Sequence, residues 1–194
     1  FDSYASITDV SSWKVSPKKT DAQAREVTLE TDAGDKAIKL NGNNAAIYKD
    51  LTSNPLTAGK IKVSANIKPS NRTAFGFVSN GENMNDGGTI RPIFYFINGK
   101  VYTFLTAEND GLYVGTFTPG NEYLLEAEID MDKKMMNVKM TGVTDATESA
   151  EKKDVSIAVY NTKYTVNSIT AFGVAHYGGT LNETVTYFDD FTAE

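Results

Sequence analysis

Four carboxylates stand at alternate positions in one short run: Glu126, Glu128, Asp130 and Asp132. In an extended strand successive side chains point to opposite faces, so all four would share one side. Two carboxylates flanking a glycosidic bond can cleave it, and a retaining mechanism places them about 5–5.5 Å apart. The competing reading is a solvated, charged strand. No other catalytic constellation stands out. The one histidine, His176, has no G-x-S-x-G or similar nucleophile motif beside it. Cysteine is absent, which excludes disulfides, thiolate nucleophiles and thiolate metal sites.

A second chemistry lies in the aromatic residues, ten Tyr and ten Phe. In the run 90–98, IRPIFYFIN, both faces are apolar, so one face must meet something other than bulk water. Alternation puts Phe94 and Phe96 on one side and Ile93, Tyr95 and Ile97 on the other. In the next run Tyr102 and Phe104 alternate with Val101, Thr103 and Leu105. Sugar rings stack their C–H faces on aromatic rings, while their hydroxyls take hydrogen bonds from polar side chains. A face carrying Tyr95, Tyr102, Tyr113 and Arg91, fringed by Asn83, Asn85 and Asp86, would suit a glycan. His176 and Tyr177, ahead of Gly178-Gly179, would line the same site. Central strands covered on both sides would give the same pattern with no site at all.

The elements that must position these groups are strands. Gly59–Lys68 alternates cleanly, with Ile61, Val63, Ala65 and Ile67 on one face and Lys62, Ser64, Asn66 and Lys68 on the other. A sheet with one wet face produces that period of two. From Thr89 to Met140 the sequence reads as five successive strands forming a central antiparallel meander. Asn98-Gly99 is its strongest hairpin signal, because both residues tolerate positive φ. Further strands are expected at 1–4, 25–31, 36–41, 45–49, 73–79, 155–159, 168–177 and 184–192, with a short helical turn within 143–153. The polar loop 80–88 is a candidate carrier of binding groups. About a dozen strands with frequent turns and no long helix predict an all-β antiparallel sandwich, a single domain over residues 1–194.

Net charge is −6 over 194 residues, and no basic cluster exists to hold phosphates, which argues against nucleic acid. No apolar run is long enough for a membrane span. Because the chain begins FDSY rather than with Met, it reads as a segment of a longer or processed protein.

The middle of the chain, INGKVYTF followed by EYLLEAEIDMDKKMMNVKMTG, resembles the concanavalin A-like (laminin-G-like) jelly-roll sandwich. There a strand ending in Ile-Asp is followed by a charged turn and a V-x-M/V-x-G strand. The ends, FDSY with Trp13 and YFDDF, resemble those of extracellular jelly-roll modules. The resemblance implies a non-catalytic, extracellular carbohydrate-binding module. It would be monomeric within a larger bacterial enzyme and would hold that enzyme to a polysaccharide of plant cell-wall type. It also implies a structural calcium near paired terminal strands, with Asp2 and Asp190 as ligands. E-I-D-M-D (128–132) resembles the E-I-D-x-E signature of laminarinase- and lichenase-type glycoside hydrolases. That likeness would make Glu128 and Asp132 the catalytic pair of an alternative hydrolase or lyase, though Asp132 is one methylene short. A surface or adhesion domain that contacts protein is the third expectation.

Overall fold

The structure is a computed structural model that describes residues 13–18, 20, 24–32, 35–84, 89–103, 111–160, 164–179 and 184–194. Its strands are β1 (Trp13–Val15), β2 (Arg25–Asp32), β3 (Asp35–Gly42), β4 (Ala45–Asp50), β5 (Lys60–Lys68), β6 (Thr73–Ser79), β7 (Arg91–Ile97) and β8 (Lys100–Thr103). They continue with β9 (Leu112–Thr116), β10 (Tyr123–Asp130), β11 (Met135–Gly142), β12 (Ala150–Ser156), β13 (Val159–Tyr160), β14 (Tyr164–Thr165), β15 (Ile169–His176) and β16 (Val185–Ala193). One sheet runs β1-β4-β15-β6-β7-β8-β9, and the second runs β12-β11-β10-β5-β16-β3-β2. Every pairing between these strands is antiparallel, so the expected sandwich is present.

The core lies between the two sheets. The inward residues of β5 (Val63, Ala65, Ile67) and β10 (Tyr123, Leu125, Ala127, Ile129) face Phe75, Phe94 and Phe96 of the first sheet. Phe96 contacts Phe117 and Tyr123 at ring centroids of 5.0 and 6.2 Å. Trp13 closes one end of this core, edge-on to Phe188 and Phe191. The Asn98-Gly99 turn has φ of 51° and 74°, the left-handed pair that a tight hairpin needs.

The five central strands do not make one meander. β7, β8 and β9 belong to the first sheet, and β10 and β11 to the second. Pro119-Gly120 therefore lies in a crossover between layers, not in a hairpin. Phe117, 3% exposed, packs into the core at the crossing and draws the chain inward. Tyr123 fastens the far side: its hydroxyl bonds to Glu148, which also accepts from Thr118 and Asn121 at 2.7 and 3.1 Å. Glu148 belongs to the 3-10 turn Ala146–Glu148, the short helical turn expected there. The expected strand at 1–4 lies outside the described residues.

Candidate functional site

The register of the first sheet assembles one row of residues from six strands. Ala46 of β4 pairs with Ala175, Ala175 with Ala74, and Ala74 with Tyr95. Tyr95 then pairs with Tyr102, and Tyr102 with Tyr113. Residues directly opposite in antiparallel strands share a face. Phe94 and Phe96 point inward, so this row lies on the outer face. Tyr95 packs with a buried patch separate from the core, made of Ala46, Tyr48, Ala74, Val78, Ala171, Ala175, Met84 and Ile90. Ala46, Ala74 and Ala175 are 0% exposed: Met84 and Ile90 pack with them, so this half of the outer face is covered and the tyrosines stand along its edge.

Four of the tyrosines expected at a site are thus brought together. Tyr177, from the end of β15, meets Tyr95 edge-on at 6.0 Å and 71°. Tyr102 meets Tyr113 at the same distance and angle. Tyr95, Tyr102 and Tyr177 are partly exposed, and Tyr113 is 50% exposed. Strands lie about 4.8 Å apart, so three rings in register span about 10 Å, the length of a disaccharide.

Arg72 and Lys100, which the sequence does not single out, stand beside this row. Arg72 has φ of 65°; its N–H donates to Phe96 O at 2.7 Å, and its carbonyl accepts from Tyr177 N at 2.8 Å. Burial pushes the Tyr95 hydroxyl up in pKa, and the positive charge of Arg72 pulls it back. Lys100 is exposed at the β7–β8 turn, two residues before Tyr102.

Other expected residues fall elsewhere. Ile93 joins the core rather than the Tyr95 side, because a bulge at the Phe75/Gly76 step inserts one extra residue into β7. Arg91, 7% exposed, is held by Glu82 at the opposite end of β7 from Arg72. His176 is 0% exposed and faces inward, on the side opposite Tyr177. Its Nδ1 lies 2.7 Å from Ser70 Oγ and its Nε2 lies 3.3 Å from Thr184 Oγ1. Thr73 and Thr186, bonded to each other at 2.6 Å, complete this buried polar knot. Burial pushes the imidazole pKa down, so the ring stays neutral. Of the loop expected to bear polar ligands, Met84 joins the buried patch on the outer face. Asn83 lines a shallow recess with Lys14 and Thr52, away from the tyrosine row. Asn85, Asp86, Phe104 and Leu105 lie outside the described residues.

The carboxylate run occupies the outer face of the second sheet. Glu126 and Glu128 line a groove of about 350 Å³ between β12 and the end of β16. Glu128 stands between Asn137 and Lys62 in register, and Glu126 is paired with Lys139 at 3.2 Å. β10 ends at Asp130, whose Oδ1 accepts from Lys133 N at 2.9 Å. Asp132 therefore sits in the turn and accepts from Gly59 N at 3.1 Å. That backbone bond holds Asp132 in the turn, outside the lining of the groove and out of line with Glu128.

Asp190 lies in a bulge of β16, with φ of 49°, and its Oδ2 accepts from Asn66 Nδ2 at 2.9 Å. Asp2 is outside the described residues. Calcium takes six to eight oxygens. Among the described residues there is no group of three or more His, Asp or Glu that could hold a metal.

This architecture is the concanavalin A-like jelly-roll fold. A solved sialidase superposes on the chain with a TM-score of 0.61 at 12% identity, over 100% of this chain and 18% of that one. Lectin I-B4 from Griffonia simplicifolia, in a metal-free form, superposes with a TM-score of 0.57 at 12% identity, over 97% of this chain and 96% of that one. Peanut lectin with a 9mer peptide does so with a TM-score of 0.51 at 12% identity, covering 99% and 96%. The chain thus spans under a fifth of the sialidase and nearly the whole of each lectin. No family model matches the sequence, and no curated protein matches it.

Proposed function

We propose that this chain is a carbohydrate-binding module whose site is the tyrosine row Tyr95–Tyr102–Tyr113 with Tyr177. The observation that carries this reading is the register: Tyr95, Tyr102 and Tyr113 from three adjacent strands, with Tyr177 just past β15, gather on one outer face at the edge of a covered patch. Preformed strands present the rings without a loop having to order, which keeps the entropic cost of binding low. A fold shared with proteins named as lectins and a sialidase supports the same class of ligand. The module would be extracellular and carried by a longer enzyme, which it holds to a polysaccharide of the plant cell-wall type.

Affinity electrophoresis against plant and algal polysaccharides tests the proposal. Retardation by at least one polymer is expected, and Tyr102→Ala should weaken it about tenfold, or ~1.4 kcal/mol. No retardation by any polymer, or retardation that the folded variant leaves unchanged, would sink it.

The hydrolase alternative has one observation in its favour, the groove that Glu128 lines. Release of reducing ends, abolished by Glu128→Gln, would establish that reading in place of pure binding.

A further inference from the structure

We infer that the sugar taken by the tyrosine row bears a carboxylate, and that Arg72 is the residue that pairs with it. The inference rests on the platform reading and deepens it. Arg72 is anchored by its own backbone to β7 on one side and to Tyr177 on the other. Its side-chain stem runs over Gly178: a Cβ added there would stand 3.2 Å from Arg72 Cδ. Arg72 Cβ and Cγ lie within 4 Å of the same point, so the glycine leaves room for the stem, and the guanidinium charge acts on the Tyr95 hydroxyl. Arg72 is exposed and has no ion-pair partner among the described residues. Lys100, at the same end of the sheet, is likewise exposed and without one.

The three strands that carry the row hold charges of one sign only. β7, β8 and β9 contain no Asp or Glu, although the whole chain carries −6. The outer face of the second sheet is the opposite case, with its lysines and carboxylates paired at Lys139–Glu126 and Lys60–Asp130. A guanidinium offers a planar fork that fits a carboxylate in two hydrogen bonds, and beside a stacked ring it would fix the sugar's orientation. A neutral hexose offers that fork hydroxyl acceptors but no charge to pair with it.

Titration calorimetry on the full chain with four defined probes tests this: tetragalacturonic acid, its methyl ester, 3′-sialyllactose and cellotetraose. At least one acidic probe should bind tenfold or more tightly than the neutral ones, with affinity falling as salt rises. Binding of the uronide or of the sialoside alone would identify which source of carboxylate fits. Arg72→Gln should reduce the acid to the affinity of the ester, and Arg72→Lys should retain part of the difference. Tyr102→Ala should weaken acidic and neutral probes alike. Gly178→Ala, which crowds the stem while keeping the charge, should weaken the acidic probe only and serves if Arg72→Gln fails to fold. Equal binding of acid and ester, or an acid affinity unmoved by Arg72→Gln while Tyr102→Ala lowers it, overturns the carboxylate inference and leaves the platform standing. Failure of all four probes and of every polysaccharide removes both.

Discussion

His176 shows how much one buried residue reports. The folded state holds its ring neutral between Ser70 and Thr184, with a pKa pushed below the usual 6.5 by burial. In the unfolded chain the ring titrates near 6.5. Between those two values the unfolded state binds a proton that the folded state refuses. Stability should therefore be flat above about pH 6.5 and fall as pH drops below it. The chain has one histidine, so the readout is clean: its ring resonances should titrate with a midpoint below pH 6.5. His176→Gln should flatten the dependence of melting temperature on pH between 6.5 and 5. An imidazole that titrates at its ordinary value would refute the buried, neutral assignment. The sequence reading put His176 and Tyr177 in one site; the fold separates them, because successive residues of an extended chain face opposite ways and His176 takes the inward side.

At the scale of elements, close approach decides the outer face. Gly173 of β15 pairs with Tyr48 on one side and with Gly76 of β6 on the other. A Cβ on Gly173 would stand 2.5 Å from Ile47 O and 2.7 Å from Tyr48 Cδ1. Gly173→Ala must push β4 and β15 apart, and overpacking of this kind costs about 1–3 kcal/mol, readable as a lower urea midpoint with an unchanged slope. The expected consequence reaches the site, because Ala175 and Tyr177 follow on the same strand. The crossover behaves differently. Hydrogen bonds from Tyr123, Thr118 and Asn121 outweigh the burial that pushes Glu148 up, and they hold its carboxyl below the ordinary range. Glu148→Ala strands those donors and should destabilise by about 1–3 kcal/mol, measured in the same titration. A negligible change would show that Phe117 alone holds the crossing.

For the whole molecule, the central pairings join distant parts of the chain. β15 lies between β4 and β6, and β16 lies between β5 and β3, so the last strands complete both sheets. Loop closure over such separations is slow, and sandwiches of this kind fold in milliseconds to seconds. Trp13, the only tryptophan, contacts Phe188 and Phe191 of the last strand and reports that final closure. Its stopped-flow fluorescence should rise to the native signal on that time scale. A microsecond recovery would mean that β16 docks late and contributes little to Trp13's environment.

The sequence by itself determined the class of fold and most of the strands; β12, Ala150–Ser156, lies largely in the stretch expected to be polar with a helical turn. Period-two alternation in Lys60–Lys68 and the Asn98-Gly99 turn are local, and local sterics and burial suffice to specify them. It also supplied the tyrosines and the carboxylate run as candidates. Only the tertiary structure decided which of them meet. The bulge that moves Ile93 into the core, the crossing of layers after β9, and the capture of Asp132 by Gly59 all depend on partners far along the chain. Arg72 carried no signal in its neighbourhood, because Tyr95 and Tyr177 reach it through pairings 23 and 105 residues away. Strand register is a long-range property, and it turned scattered rings into a row.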